Sequence, residues 1–162
     1  MCVRFILWEK YQERNNIMKK LLLTLIVLGS VFTLAAKPPA GWTDDYDAAL
    51  KTAKKEHKYV YVLFTGSDWC GWCIRLRKDV LETAKFKNFA KKHLVLVYCD
   101  FPRGERLPQS QLAKQQQWLR QLQAGGGVPS AVIVNSSGKV VGKIGGYAKL
   151  NNYMRKLKSI VK

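Results

Sequence analysis

The 162-residue chain has little cysteine, histidine or acid: four cysteines, two histidines and 11 acidic residues stand against 28 basic ones. With Cys2 at the extreme N-terminus, three cysteines remain for a folded part, too few for the evenly paired framework of a small disulfide-stapled domain. The remaining zinc-ligand candidates, Cys99, His57 and His93, come at no recognised finger spacing. No stripe of basic residues interleaved with aromatics appears, which argues against a nucleic-acid surface. There is no internal repeat, and Gln115-Gln116-Gln117 is too short to count as low complexity. Long hydrophobic runs are also missing. The longest, residues 21–36, is interrupted only by Thr24, Gly29, Ser30 and Thr33, yet its 16 residues fall short of the roughly 17–25 that span a bilayer.

That run follows Met18-Lys19-Lys20 and ends in Ala35-Ala36 before Lys37-Pro38-Pro39. A positive start, an apolar middle and a small-residue end are the parts of a secretory signal peptide, with cleavage expected after Ala35 or Ala36. The competing reading is an uncleaved anchor that leaves the domain facing the periplasm. Lys37 stands where a lipoprotein would need cysteine. Residues 1–17 place mixed charged and aromatic sequence ahead of a complete signal, so translation is expected to start at Met18. The chain then divides into a leader (1–36), a linker (37–42) and one domain (43–162), and the product is exported, periplasmic or secreted. The leader takes five basic and two acidic side chains with it, leaving 23 basic and nine acidic, net +14. Such a domain is attracted to acidic proteins and weakly to anionic envelope surfaces. Lysines spread over solvated helix faces account for the same count.

The chemistry is concentrated in Trp69-Cys70-Gly71-Trp72-Cys73, where a strand-forming run (59–65) gives way to a helix-compatible one (74–84). A thiol at the start of a helix meets unpaired N–H groups and the positive end of the helix dipole. Both favour its thiolate, the attacking form in disulfide exchange. The pair reads as chemistry, and Cys99, inside a strand, as an inert core thiol. Half a zinc site or an inert structural disulfide are the bland readings of the pair.

In chain order, Thr43 or Asp44 is expected to cap a helix with Tyr46, Ala49, Leu50 and Ala53 on its apolar face. Residues 59–65 form a strand buried on both faces. After the turn Gly66-Ser67-Asp68 a helix runs to about Ala84, and a shorter one over 84–91 carries Phe86, Phe89 and Ala90 inward. Residues 94–100 form the second buried strand, completing a βαβ unit with a parallel pair. Ser110 caps a helix through Gln123, with Leu112, Trp118, Leu119 and Leu122 inward, and 124–129 break it. Residues 131–135 and 139–144 flank Ser136-Ser137-Gly138 as a hairpin, and 148–161 close the chain as a helix. His57 and His93 lie among lysines and read as surface residues.

From about Thr43 to the C-terminus the chain resembles the thioredoxin-fold family. The resemblance rests on Trp-Cys-Gly-x-Cys after the first core strand, Gly127-Val128-Pro129 ahead of the hairpin, and the order helix, βαβ, helix, ββα. It is nearest to exported thioredoxin-like proteins whose motif region reads like residues 65–73. The resemblance implies an α/β domain with a central mixed sheet of about four strands, flanked by helices and carrying an extra N-terminal helix. It implies a thiol–disulfide oxidoreductase with no cofactor and no metal, in which an exposed Cys70 attacks and a more buried Cys73 resolves. Val128-Pro129 would be cis and, with Gly127, would pair with an extended client chain. Trp69 would shield the disulfide. The implied partners are protein clients with thiols or disulfides and, for reduction, a membrane-bound recycling partner.

The chain departs from the family pattern at three points. Trp72 replaces a proline between the cysteines, which leaves the direction of exchange open, and Phe64 stands where a buried aspartate is expected. The lysine that would partner that aspartate is absent from residues 94–100, so the Cys73 proton must pass to water or another group, with Asp68 near in sequence. A binding or chaperone-like module on the same fold, using Trp72, the Val128-Pro129 edge and the basic surface, is the alternative of a different class.

Overall fold

The computed structural model describes residues 15–16, 37–104 and 107–162. The chain divides into two units, Met1–Leu34 and Ala35–Lys162, and everything below concerns the second. The expected signal segment and the Met18 start lie outside the described residues. Among those described, no helix is long and apolar enough to cross a membrane.

The sheet is assembled around β1 (Tyr59–Thr65), a run of aromatic and β-branched residues buried along nearly its whole length. It lies between β2 (Leu94–Asp100), parallel to it, and β3 (Ser130–Val134), antiparallel, with β4 (Val140–Gly145) on the outer side of β3. The resulting order β2-β1-β3-β4 is the expected four-stranded mixed sheet. Successive side chains of a strand point to opposite faces, and β1 divides accordingly. Tyr61 and Leu63 join a core with Leu76, Val80, Phe86, Ile133, Tyr153, Met154 and Leu157. Val60, Val62 and Phe64 join a second core with Tyr46, Ala53, Val97, Cys99, Trp118 and Val132.

The helices that cover these faces follow from their apolar spacing. α1 (Tyr46–Glu56) and α4 (Gln109–Gln121) close the second core. α2 (Gly71–Leu76), α3 (Ala84–His93) and α5 (Leu150–Ile160) close the first. Trp42 packs there too, edge-on to Tyr61 and Tyr98 and stacked on Phe86. The buried hydroxyls of Tyr61 and Tyr153 bond to each other across that core, satisfying two groups that would otherwise be costly to bury.

Four expectations are corrected. The cap of α1 is Asp45, whose carboxylate accepts from Ala48 N at 2.9 Å. Thr43 is instead drawn alongside β2, its N–H donating to Leu96 O and its carbonyl accepting from Tyr98 N. The helix opened by the cysteines is not uniform: after Leu76 it widens into a π turn, Arg77–Leu81, and Thr83 then caps α3. β2 is an edge strand, and Val95, Leu96, Tyr98 and Asp100 are only half-buried. Ser110 lies inside α4, which starts after Pro108, whose carbonyl accepts from Gln111 and Leu112. α4 buries Gln115 and Trp118, whereas Leu112 and Leu119 are half-buried.

Candidate active site

Strands β1 and β2 start and end in register, Tyr59 opposite Leu94 and Thr65 opposite Asp100. Asp100 is therefore carried to the level of the turn that follows β1, where its carboxylate accepts from the N–H and the hydroxyl of Ser67. The next turn residue, Asp68, accepts from the backbone N–H groups of Arg103 and Gly104, the latter at 2.6 Å. The Gly104 bond above all holds the Asp68 carboxyl below its usual range; desolvation, the next largest effect, opposes it, and the Arg103 N–H and charge add smaller lowering contributions. A carboxylate so stabilised is a poor proton acceptor, and Asp68 acts here as a clamp on the loop after β2.

That clamp delivers the cysteine motif. Cys70 is the N-cap of α2, and its Sγ accepts from Cys73 N–H at 3.2 Å. Cys70 and Cys73 form a disulfide with Cα atoms 5.2 Å apart. The expected exposure of Cys70 is corrected: in the disulfide both cysteines are recessed, Cys70 8% and Cys73 4% exposed. Across the cleft, the Val128–Pro129 peptide is cis and the Val128 carbonyl oxygen lies 3.7 Å from Cys70 Sγ. The Pro129 carbonyl accepts from Gly146 N–H, which fastens this loop to the end of β4. Gly127 is exposed, Val128 half-buried and Pro129 buried. Segments 58 residues apart are thus brought to one sulfur.

Trp69 is 41% exposed, and its indole N–H donates to Phe101 O at 2.7 Å. The ring lies so close over Gly66 that any Cβ there would overlap it, which accounts for glycine at that position. Gly71 is open to solvent, and Trp72, 57% exposed, stacks on Tyr147 with ring centroids 5.5 Å apart. Tyr147 in turn donates its hydroxyl to Asp79.

Phe64 is fully buried, paired in register with Cys99 on β2 and with Ser130 on β3. Burial, and secondarily the Asp44 charge, pushes the Cys99 thiol up to about 12, so it stays protonated and inert. His57 ends α1 in a left-handed conformation, and His93 packs on Phe89; both are surface residues remote from the cysteine motif in sequence. Sequence reasoning missed Asp100, Arg103, Asp79 and Tyr147. Their partners lie far off in sequence, and the register that carries Asp100 to Ser67 is visible only in the fold.

A three-layer α/β domain with a disulfide-forming Cys-x-x-Cys pair at the start of a helix and a cis-proline facing it defines the thioredoxin-like class. The chain belongs to the thioredoxin-like domain family, whose model matches residues 46–160. It is 37% identical over 102 residues to the disulfide bond reductase DsbH of Chlamydia pneumoniae, covering 63% of this chain and 61% of that protein. It is 34% identical over 103 residues to the thioredoxin-related protein DsbJ of the same organism, covering 58% of this chain and 30% of that protein. The chain thus spans about three-fifths and just under a third of the length of these curated relatives. A solved structure of a DsbH oxidoreductase superposes with a TM-score of 0.66 at 33% identity, covering 82% of this chain and 94% of that one.

Proposed function

We propose that the chain is an exported thiol–disulfide oxidoreductase that reduces disulfides in protein clients. The observation that carries this reading is the Cys70–Cys73 disulfide at the mouth of α2, with the Val128 carbonyl facing the first sulfur. In the reduced protein the Cys70 thiolate, stabilised by the Cys73 N–H and the start of the helix, attacks one sulfur of a client disulfide. The client S–S bond breaks, its electron pair leaves on the second client sulfur, and a Cys70–client disulfide forms. Cys73 then loses its proton, and its thiolate attacks Cys70 Sγ. The client leaves with two thiols, and Cys70–Cys73 is oxidised. With Phe64 where the thioredoxin pattern has a buried aspartate and no lysine in β2, neither strand offers the usual acceptor, and the Cys73 proton passes to water.

The reducing direction is supported by the relative named a disulfide bond reductase. Export is supported by Met18-Lys19-Lys20 and the apolar run 21–36. A membrane-bound thiol donor must then return the pair to the dithiol, since an exported protein is cut off from cytosolic reductants. Gly127, Val128 and Pro129 present the backbone edge along which a client strand lies, with Trp69 and Trp72 on either side of Cys70. The reduced protein is expected to precipitate insulin B chain in a turbidity assay with dithiothreitol far faster than dithiothreitol alone. An unchanged lag would contradict the proposal.

A further inference from the structure

Two guanidinium groups lie on the tryptophans that flank Cys70 in sequence. Arg103 lies over the ring of Trp69, 4.1 Å from its centroid, and Arg75 lies 5.5 Å from Trp72 and 5.9 Å from Tyr147. Trp69 directly precedes Cys70 and Trp72 follows it by two, so both cations are set on the aromatic rim of the reacting sulfur. Their supports are braced: the Arg103 backbone N–H bonds Asp68, and the Trp72–Tyr147 stack under Arg75 is anchored on Asp79.

Among the described residues, the carboxylates of the same loops are already engaged: Asp68 by two backbone N–H groups, Asp100 by Ser67 and Asp79 by the Tyr147 hydroxyl. Arg77, two positions on from Arg75, pairs with Glu82 at 3.6 Å, whereas Arg75 and Arg103 make no ion pair among the described residues. A guanidinium lying over a ring keeps its N–H fork at the edge, oriented to receive a carboxylate and with less freedom left to lose.

We infer that Arg75 and Arg103 make this rim selective for client segments that carry acidic side chains beside the reacting cysteine. The inference rests on the oxidoreductase reading and adds the substrate class to it. Net charge alone would draw any acidic protein to any face of the domain. The two arginines instead make the preference local to the few residues flanking the client disulfide. An exposed pair changes binding by a factor of roughly 1.5–5, and one client carboxylate beside the cysteine pairs with one arginine at a time, so the expected preference is about twofold to fivefold.

The test is the rate at which the reduced protein cleaves three disulfide peptides that differ only in having Asp, Asn or Lys beside the cysteine, with 2-hydroxyethyl disulfide as an uncharged small substrate. The expected ratio of kcat/KM for the Asp over the Asn peptide is about two to five at low salt. It should shrink in 1 M NaCl, where screening acts within about 3 Å. In the Arg75→Gln/Arg103→Gln double variant the ratio is expected to approach one. The Lys51→Gln/Lys54→Gln variant, with the same charge change on α1 across the sheet, keeps it. Equal rates for the Asp and Asn peptides in the wild type overturn the inference. So does a fall in the arginine variant shared equally by all substrates, which would make the arginines activators of the thiol. Failure to cleave even 2-hydroxyethyl disulfide overturns the oxidoreductase reading itself.

Discussion

A Cys73→Ala variant is expected to accumulate clients in mixed disulfides through Cys70, visible as adducts on non-reducing gels that dithiothreitol removes. Cys70→Ala should yield none, and both substitutions should lower turnover on the order of a thousandfold or more, as loss of a nucleophile or its partner does elsewhere. The asymmetry follows from position. Cys70 caps α2, accepts the Cys73 N–H and faces the Val128 carbonyl where a client chain would lie. Cys73 sits inside the first turn, where its thiolate can reach the Cys70 sulfur and release the client bonded to it. Without Cys73 the first exchange still occurs and the second cannot. If the cysteines were incidental to a binding module, neither variant would form adducts and client capture would survive both changes.

Phe64→Asp restores the carboxyl that the thioredoxin pattern calls for and is expected to be among the most damaging single changes in the domain. Phe64 is fully buried among Val62, Val97, Cys99 and Val132. Cutting a buried phenylalanine to a much smaller side chain costs about 3–5 kcal/mol, a large share of the roughly 5–15 kcal/mol that holds a domain folded. The introduced carboxyl adds a pH dependence. Burial without a cation raises its folded pKa above the unfolded value of about 3.9. The folded state then binds the proton more tightly. The loss relative to wild type is smallest below pH about 4 and grows by roughly 1.4 kcal/mol per pH unit up to the raised pKa. Urea unfolding of both proteins at pH 4, 5.5 and 7 checks this. A variant relatively more stable at pH 7 than at pH 4 would mean that the carboxyl finds a partner and that the Phe64–Cys99 layer is more adaptable than its packing indicates.

The elements that position the site were legible in sequence because they are defined by local chemistry. The runs 59–65 and 94–100 match β1 and β2 to the residue, since uninterrupted β-branched and aromatic stretches have no other place to be buried. Ser136-Ser137-Gly138 marked the hairpin, with Gly138 at φ +86° where a side chain would be strained. What depends on the rest of the fold was not legible. Thr43 and Ser110 are reasonable caps by type, but one is drawn alongside β2 and the other lies within a helix begun by Pro108. The π turn after Leu76 leaves no mark in a sequence that stays helix-compatible throughout.

The site divides in the same way. The cysteines, the tryptophans beside them and Val128-Pro129 stand out as motifs. The braces that fix them do not, because the contacts of Asp68 with Arg103 and Gly104 and of Tyr147 with Asp79 span 35, 36 and 68 residues. Each needs a loop conformation that no local pattern specifies. Phe64 and the missing lysine of β2 were legible as departures, and the register now shows that Cys99 faces Phe64.

The claim that most needs a number is the direction of exchange. Equilibrating the protein with graded dithiothreitol or glutathione buffers, and counting the Cys70–Cys73 disulfide by mass after acid quenching, gives the reduction potential of the pair. A reductase requires a value near that of thioredoxin, about −270 mV. A value approaching about −120 mV, where strong oxidants of the same fold lie, would contradict the account and make the protein a donor of disulfides.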